Sequence, residues 1–85
     1  MQKTLRYNII FRPEPEGGFT VFVPSLPGCI TYGATLVEAR RMAEDAIHGY
    51  LISLQKHQEH IPRNDAEFVM SSIELPALDK TFAYA

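Results

Sequence analysis

The sequence predicts an α+β domain in the order β-β-β-α-β, with one long helix covering one face of a small sheet. Three observations carry this. Short segments alternate apolar and polar residues with period two, Pro/Gly clusters separate them, and the stretch from Leu36 onward repeats its apolar residues every three or four positions.

The first strand is expected over Thr4 to Arg12. Leu5, Tyr7, Ile9 and Phe11 fall on one face; Arg6, Asn8 and Arg12 fall on the other, together with Ile10. Pro13-Glu14-Pro15-Glu16-Gly17-Gly18 breaks the run, because proline cannot donate to a ladder and glycine permits positive φ. The aromatic and β-branched run Phe19 to Val23 follows, so the pair reads as a hairpin with an acidic tip. Pro24-Ser25-Leu26-Pro27-Gly28 ends it, and Cys29 to Tyr32 forms a short third strand closed by Gly33.

Thr35 and Glu38 have the spacing of a capping box. Beyond them Leu36, Ala39, Ala43, Ile47, Tyr50, Leu51 and Leu54 line one face of a helix expected to end near His57 and to pack on the sheet. Gly49 reads as a point where the helix approaches the sheet closely. After the polar stretch from Gln58 to Ala66, with Pro62 inside it, Phe68 to Leu75 is the expected fourth strand, stopped by Pro76. The first three strands are expected to form an antiparallel meander, and the helix to carry the chain over so that the fourth lies parallel, most simply beside the first. Residues 1–76 are thus one domain and 77–85 a tail.

With 85 residues the chain holds one domain and excludes a multidomain enzyme. Such a chain buries only about 60% of its unfolded surface, so self-association is the expected source of further stability. A second sheet face bearing Ile10 and Phe22 points the same way. Phe68, Met70, Phe82 and Tyr84 are the expected interface residues of a homodimer or tetramer. One cysteine, Cys29, precludes an internal disulfide and fits a cytoplasmic location. No run approaches the roughly 20 apolar residues of a membrane span. A net charge of −2 disfavours nucleic acid as the principal partner and suits a basic one.

No catalytic or cofactor-binding constellation emerges. His57 and His60 flank Glu59, but zinc requires three or four well-placed ligands and no second cluster has matching spacing. Ser25 and Cys29 lack an adjacent base, and Gly17-Gly18 lacks the lysine of a phosphate loop. The residues that stand out are carboxylates: Glu14 and Glu16 on the hairpin tip, and Glu38, Glu44 and Asp45 on the helix. Glu38/Arg41, Arg40/Glu44 and Arg41/Asp45 also have the spacing of weak helix-surface pairs.

Glu16-Gly17-Gly18-Phe19, then Pro24-Ser25-Leu26-Pro27-Gly28-Cys29, then Thr31-Tyr32-Gly33-Ala34-Thr35-Leu36 with Glu38-Ala39, and finally His57 with Ile61-Pro62, form a long composite pattern. It resembles the HicB family of antitoxins over residues 5–62. The chain departs from that pattern at Ser25, where the family usually has aspartate, at Ala34, and at Gln58-Glu59-His60.

The resemblance implies a partial ribonuclease-H-like fold and the inhibition of a small, basic, mRNA-cleaving HicA-type toxin. It does not imply nuclease activity, since Thr4 to Arg12 contains no carboxylate for two-metal hydrolysis. Many family members continue into a DNA-binding domain. An 85-residue chain has no room for one, so operator binding is not expected of this chain alone. The partner-binding residues expected are Glu14, Glu16, Glu38, Glu44 and Asp45, with Leu26 exposed at the proline-stiffened bend as an apolar anchor. The alternative is a solitary oligomeric regulatory module of the same family without a toxin.

Overall fold

The computed structural model describes residues 4–62 and 69–78. The sheet comprises β1 (Ile10–Pro13), β2 (Phe19–Phe22) and β3 (Ile30–Gly33), followed by helix α1 (Leu36–Lys56). The strands lie in the order β1-β2-β3, all antiparallel, as the meander requires. The register sets Ile10 opposite Phe22 and Phe22 opposite Ile30, and Arg12 opposite Thr20 and Thr20 opposite Tyr32. These six residues share one face, because side chains alternate along a strand. Phe11, Val21, Phe19 and Gly33 occupy the other face, under α1.

α1 begins where its cap predicts. Thr35 is extended (φ −129°, ψ 166°), and its Oγ1 accepts from the Glu38 amide at 3.1 Å. At the far end the His57 amide donates to the Ser53 carbonyl at 3.1 Å, and Gln58 turns the chain with φ 56°. The helix lies chiefly over β3, with a smaller contact on β2. The core has two centres. Val21, Ala39 and Ala43 pack with Ile9, Phe11 and Phe19; Val23, Leu26 and Cys29 pack with Tyr7, Ile9, Ala46, Ile47, Tyr50 and Leu51. Ala39, Ala43, Ile47, Tyr50 and Leu51 thus face the core as their spacing predicts.

The structure corrects four expectations. β1 is shorter than Thr4 to Arg12, because Ile10↔Phe22 is its last pair with β2 and Pro24 soon turns β2's chain away. Residues 4–9 therefore have no β2 strand opposite, although Ile9 still reaches the core. Leu36 is 53% exposed rather than buried, since the helix first meets the sheet one turn later, at Ala39 on Gly33. The close approach is consequently at Gly33, where a Cβ would collide with the Ala39 backbone, whereas Gly49 is exposed with nothing within 4 Å.

The fourth expectation is the last strand. Residues 69–75 form no strand, and Val69, Ile73 and Leu75 are 82–94% exposed. Alternation specifies two faces for a segment, but a ladder also needs an unpaired edge, and residues 69–75 pair with none among the described residues. Phe68 lies outside the described residues. The chain after α1 does return toward the first segment, where the Tyr7 hydroxyl donates to the Pro62 carbonyl.

Candidate functional site

The acidic tip is a tightly determined turn. The Glu14 amide donates to the Gly18 carbonyl at 2.9 Å, and the Gly17 amide donates to the Glu14 carbonyl at 3.0 Å. Gly17 and Gly18 adopt φ of 106° and 79°, which side-chain-bearing residues rarely reach. Tyr32 reaches across from β3, and its hydroxyl donates to the Gly17 carbonyl at 3.0 Å. Its ring also occupies the space that a Cβ on Gly18 would need. The tip is therefore held by the neighbouring strand as well as by its own turn.

The two glutamates differ. Glu14 Oε1 accepts from Arg12 Nε at 2.8 Å, and the Arg12 guanidinium lies 4.9 Å from the centre of the Phe22 ring. The hydrogen bond from Arg12, with a second from Thr20, lowers the Glu14 carboxyl below its ordinary value. Its side chain is only 20% exposed, so Glu14 is less free to meet a partner than the sequence suggests. Glu16, at the turn's outer corner, is exposed.

Glu38 lies in the first turn of α1, half-buried, where a carboxylate favours the helix dipole. Glu44 and Asp45 are exposed further along. Among the described residues the three expected helix-surface pairs do not close, whereas Arg12 and Glu14 form an ion pair at the tip. Glu44 and Arg40 instead border a groove of about 300 Å³ lined by Leu5, Tyr7, Ile9, Ala43 and Ile47. That groove was not evident in the sequence. Its signal is the apolar row Leu5, Tyr7 and Ile9, which reads there as an ordinary strand face.

Topology decides which candidates share a surface. Phe19, just after the tip, pairs with Gly33, just before α1, so Glu14, Glu16 and the helix start at Glu38 occupy the same end of the sheet. Glu44 and Asp45 follow within two helical turns. Leu26 is at the opposite end, between β2 and β3, and is not exposed. It is 1% accessible, enclosed by Val23, Cys29 and the second core centre. The bend folds inward because Leu26 N donates to the Val23 carbonyl at 3.0 Å and Cys29 N to the Leu26 carbonyl at 2.9 Å. Tyr50 Oη clamps it by donating to the Pro27 carbonyl at 2.8 Å. The anchor expected at Leu26 is thus a core residue.

Burial beside Leu26 raises the Cys29 thiol above its usual value, which suits packing rather than nucleophilic attack. His57 Nδ1 lies 2.8 Å from the Ser53 carbonyl at the end of α1. Among the described residues no group of three histidine, cysteine or acidic side chains is placed to hold a metal, and no helix is long and apolar enough to cross a membrane. Of the expected interface residues, Met70 is 74% exposed, while Phe68, Phe82 and Tyr84 lie outside the described residues.

Comparison with known proteins places this geometry in a family. The chain is 44% identical over 63 residues to a UPF0150 protein of Thermoplasma acidophilum, covering 74% of this chain and 91% of that one. A UPF0150 protein of Synechocystis is 34% identical over 59 residues, covering 69% and 75%. The antitoxin HicB of Escherichia coli K12 is 40% identical over 43 residues, which span 51% of this chain and 31% of that longer protein. The family model described as the HicB-like antitoxin of bacterial toxin–antitoxin systems matches residues 7–80. The chain therefore belongs to the HicB-like antitoxin family.

Proposed function

We propose that this protein inhibits a small, basic, mRNA-cleaving toxin of the HicA type by covering its RNA-binding surface, performing no chemistry itself. The observation that carries the reading is the acidic end of the sheet, where the locked hairpin tip exposes Glu16 at the same end as the start of α1. A ribonuclease that binds phosphates must present positive potential around its active site. Carboxylates on a preorganised turn meet that potential at low entropic cost and steer association. Glu16, Glu44 and Asp45 are the exposed carboxylates for this contact. Glu14 supports the tip through Arg12, and Glu38 borders it. Leu26 acts indirectly, by holding the far bend in place. In this reading the chain works in the cytoplasm as a homodimer or tetramer, with a partial ribonuclease-H-like fold.

Charge reversal is the test. Glu16→Lys and the double variant Glu44→Lys/Asp45→Lys should each weaken binding to the co-expressed toxin, most at low salt, and impair rescue of growth. If both bind with unchanged salt dependence and still rescue, the acidic end is not the inhibitory surface. A second reading, a solitary oligomeric regulatory module, draws on the short UPF0150 relatives, one of which this chain matches over 91% of its length. It predicts that no small basic protein encoded beside this chain is bound or neutralised by it.

A further inference from the structure

The folded body and the segment after it do not match as one self-sufficient monomer. Only Val21, Val23, Leu26, Cys29, Ala39 and Ala43 are buried apolar residues among those described, and just Val21 and Leu26 are large and fully enclosed. Residues 69–75 contribute nothing to that core. They carry Val69, Ile73 and Leu75 at alternating positions with Ser71, the pattern of one strand face, and Pro76 ends the run. The radius of gyration is 16.9 Å, against about 12 Å for a compact domain of this length. The longest dimension is 58 Å, against 27 and 23 Å across. With Val69, Ile73 and Leu75 exposed and outside the core, residues 69–75 are an apolar arm on a small body.

The body has a partly open apolar surface of its own, with Ile10 and Phe22 half-buried and Arg12 over the Phe22 ring. The sheet face away from α1 carries the cross-strand row Ile10, Phe22 and Ile30, with Tyr32 beside it; Ile30 is 58% and Tyr32 50% exposed. We propose that the arm of each copy lies on this outer sheet face of a second copy, in a reciprocal two-fold exchange. Two features select a second copy as the occupant. The arm has one charge between Val69 and Pro76, Glu74, so it offers little to a basic toxin, whose complementary carboxylates lie at the acidic end. An isologous pair also covers both apolar surfaces of both chains at once. The contact borders the tip through Tyr32 and Arg12 and leaves the exposed Glu16 open to a partner. The exchange specifies the surfaces of the homo-oligomer proposed above and holds whether or not a toxin is the further partner.

Light scattering of the full chain at micromolar concentration should give a multiple of 9.6 kDa, with the arm from Val69 to Leu75 resistant to limited proteolysis. Ile73→Asp should weaken self-association by about tenfold or more, since it replaces a buried apolar side chain by a charge. A cross-link keeps the proposal testable should that variant fail to fold. An equimolar mixture of Ile73→Cys and Ile30→Cys chains should form the mixed disulfide about tenfold faster than a mixture of Ile73→Cys with Val37→Cys, an exposed helix position. A 9.6 kDa species overturns the exchange, as does equal cross-linking to both positions. An arm that resists proteolysis only after toxin is added overturns it in favour of the toxin as occupant. An oligomer whose arm is cleaved as readily as an unstructured peptide overturns the exchange while leaving the homo-oligomer intact.

Discussion

Truncating Leu26 separates a core residue from a partner anchor. Leu26 is 1% exposed and lies among Val23, Cys29, Tyr7, Ile9, Ala46, Ile47, Tyr50 and Leu51. Leu→Ala at a buried site costs about 2–5 kcal/mol, the spread reflecting how far the surroundings collapse into the cavity. Here collapse is restricted on three sides. Two backbone hydrogen bonds, at 2.9 and 3.0 Å, fix the bend from Val23 to Cys29, and the 2.8 Å Tyr50–Pro27 bond ties it to α1. The cost should therefore stay above the lower end of the range, at about 3–4 kcal/mol. For a domain of this size that lowers the Tm by about 12–30 °C. Leu26→Met, which keeps the volume, should cost less than about 1.5 kcal/mol. Thermal and urea unfolding followed by circular dichroism measure both. If Leu26→Ala leaves the Tm within about 2 °C of the parent yet abolishes partner binding, the side chain is outside the core and the packing argument fails.

The two contrasting glycines should respond with opposite signs. Gly33→Ala drives a methyl group into the Ala39 backbone and should destabilise by about 1–3 kcal/mol, whereas Gly49→Ala, in open space on the helix, should stabilise by about 0.5–1 kcal/mol; urea midpoints decide both. The Cys29 thiol, raised by burial, favours the neutral form in the fold. Its contribution is present below the ordinary thiol pKa, near 9.0, and is lost as pH rises through the higher folded-state value. The parent should accordingly lose more stability than Cys29→Ala between neutral pH and about pH 10, and Cys29 should resist alkylation until the chain unfolds.

Much of the local structure is legible residue by residue. Thr35 and Glu38 mark the helix start, and the polar stretch beyond His57 marks its end, because caps act through hydrogen bonds within a few residues. Gly17-Gly18 and the Pro24–Gly28 bend are placed for the same reason: φ preferences and missing N–H groups belong to the residues themselves. The composite motif identifies the family, which the match over residues 7–80 bears out. The candidate site is legible only in part. Glu16, Glu44 and Asp45 are exposed as expected, but the Arg12–Glu14 pair, the Tyr32 bond to the tip and the groove beside Glu44 all join residues from different elements.

By itself, the sequence determined the meander, the 36–56 helix, the acidic turn and an alternating apolar segment near the C-terminus. Each depends on propensities and periodicities that a chain carries whatever it later packs against. Only the tertiary structure decided that Leu26 turns inward, that Gly33 rather than Gly49 meets the opposing backbone, that β1 pairs for four residues, and that residues 69–75 pair with no edge among the described residues. Those outcomes depend on which surfaces meet and how far opposing strands overlap. Periodicity assigns a residue to a face, but whether that face is covered depends on the element, or the molecule, that packs against it.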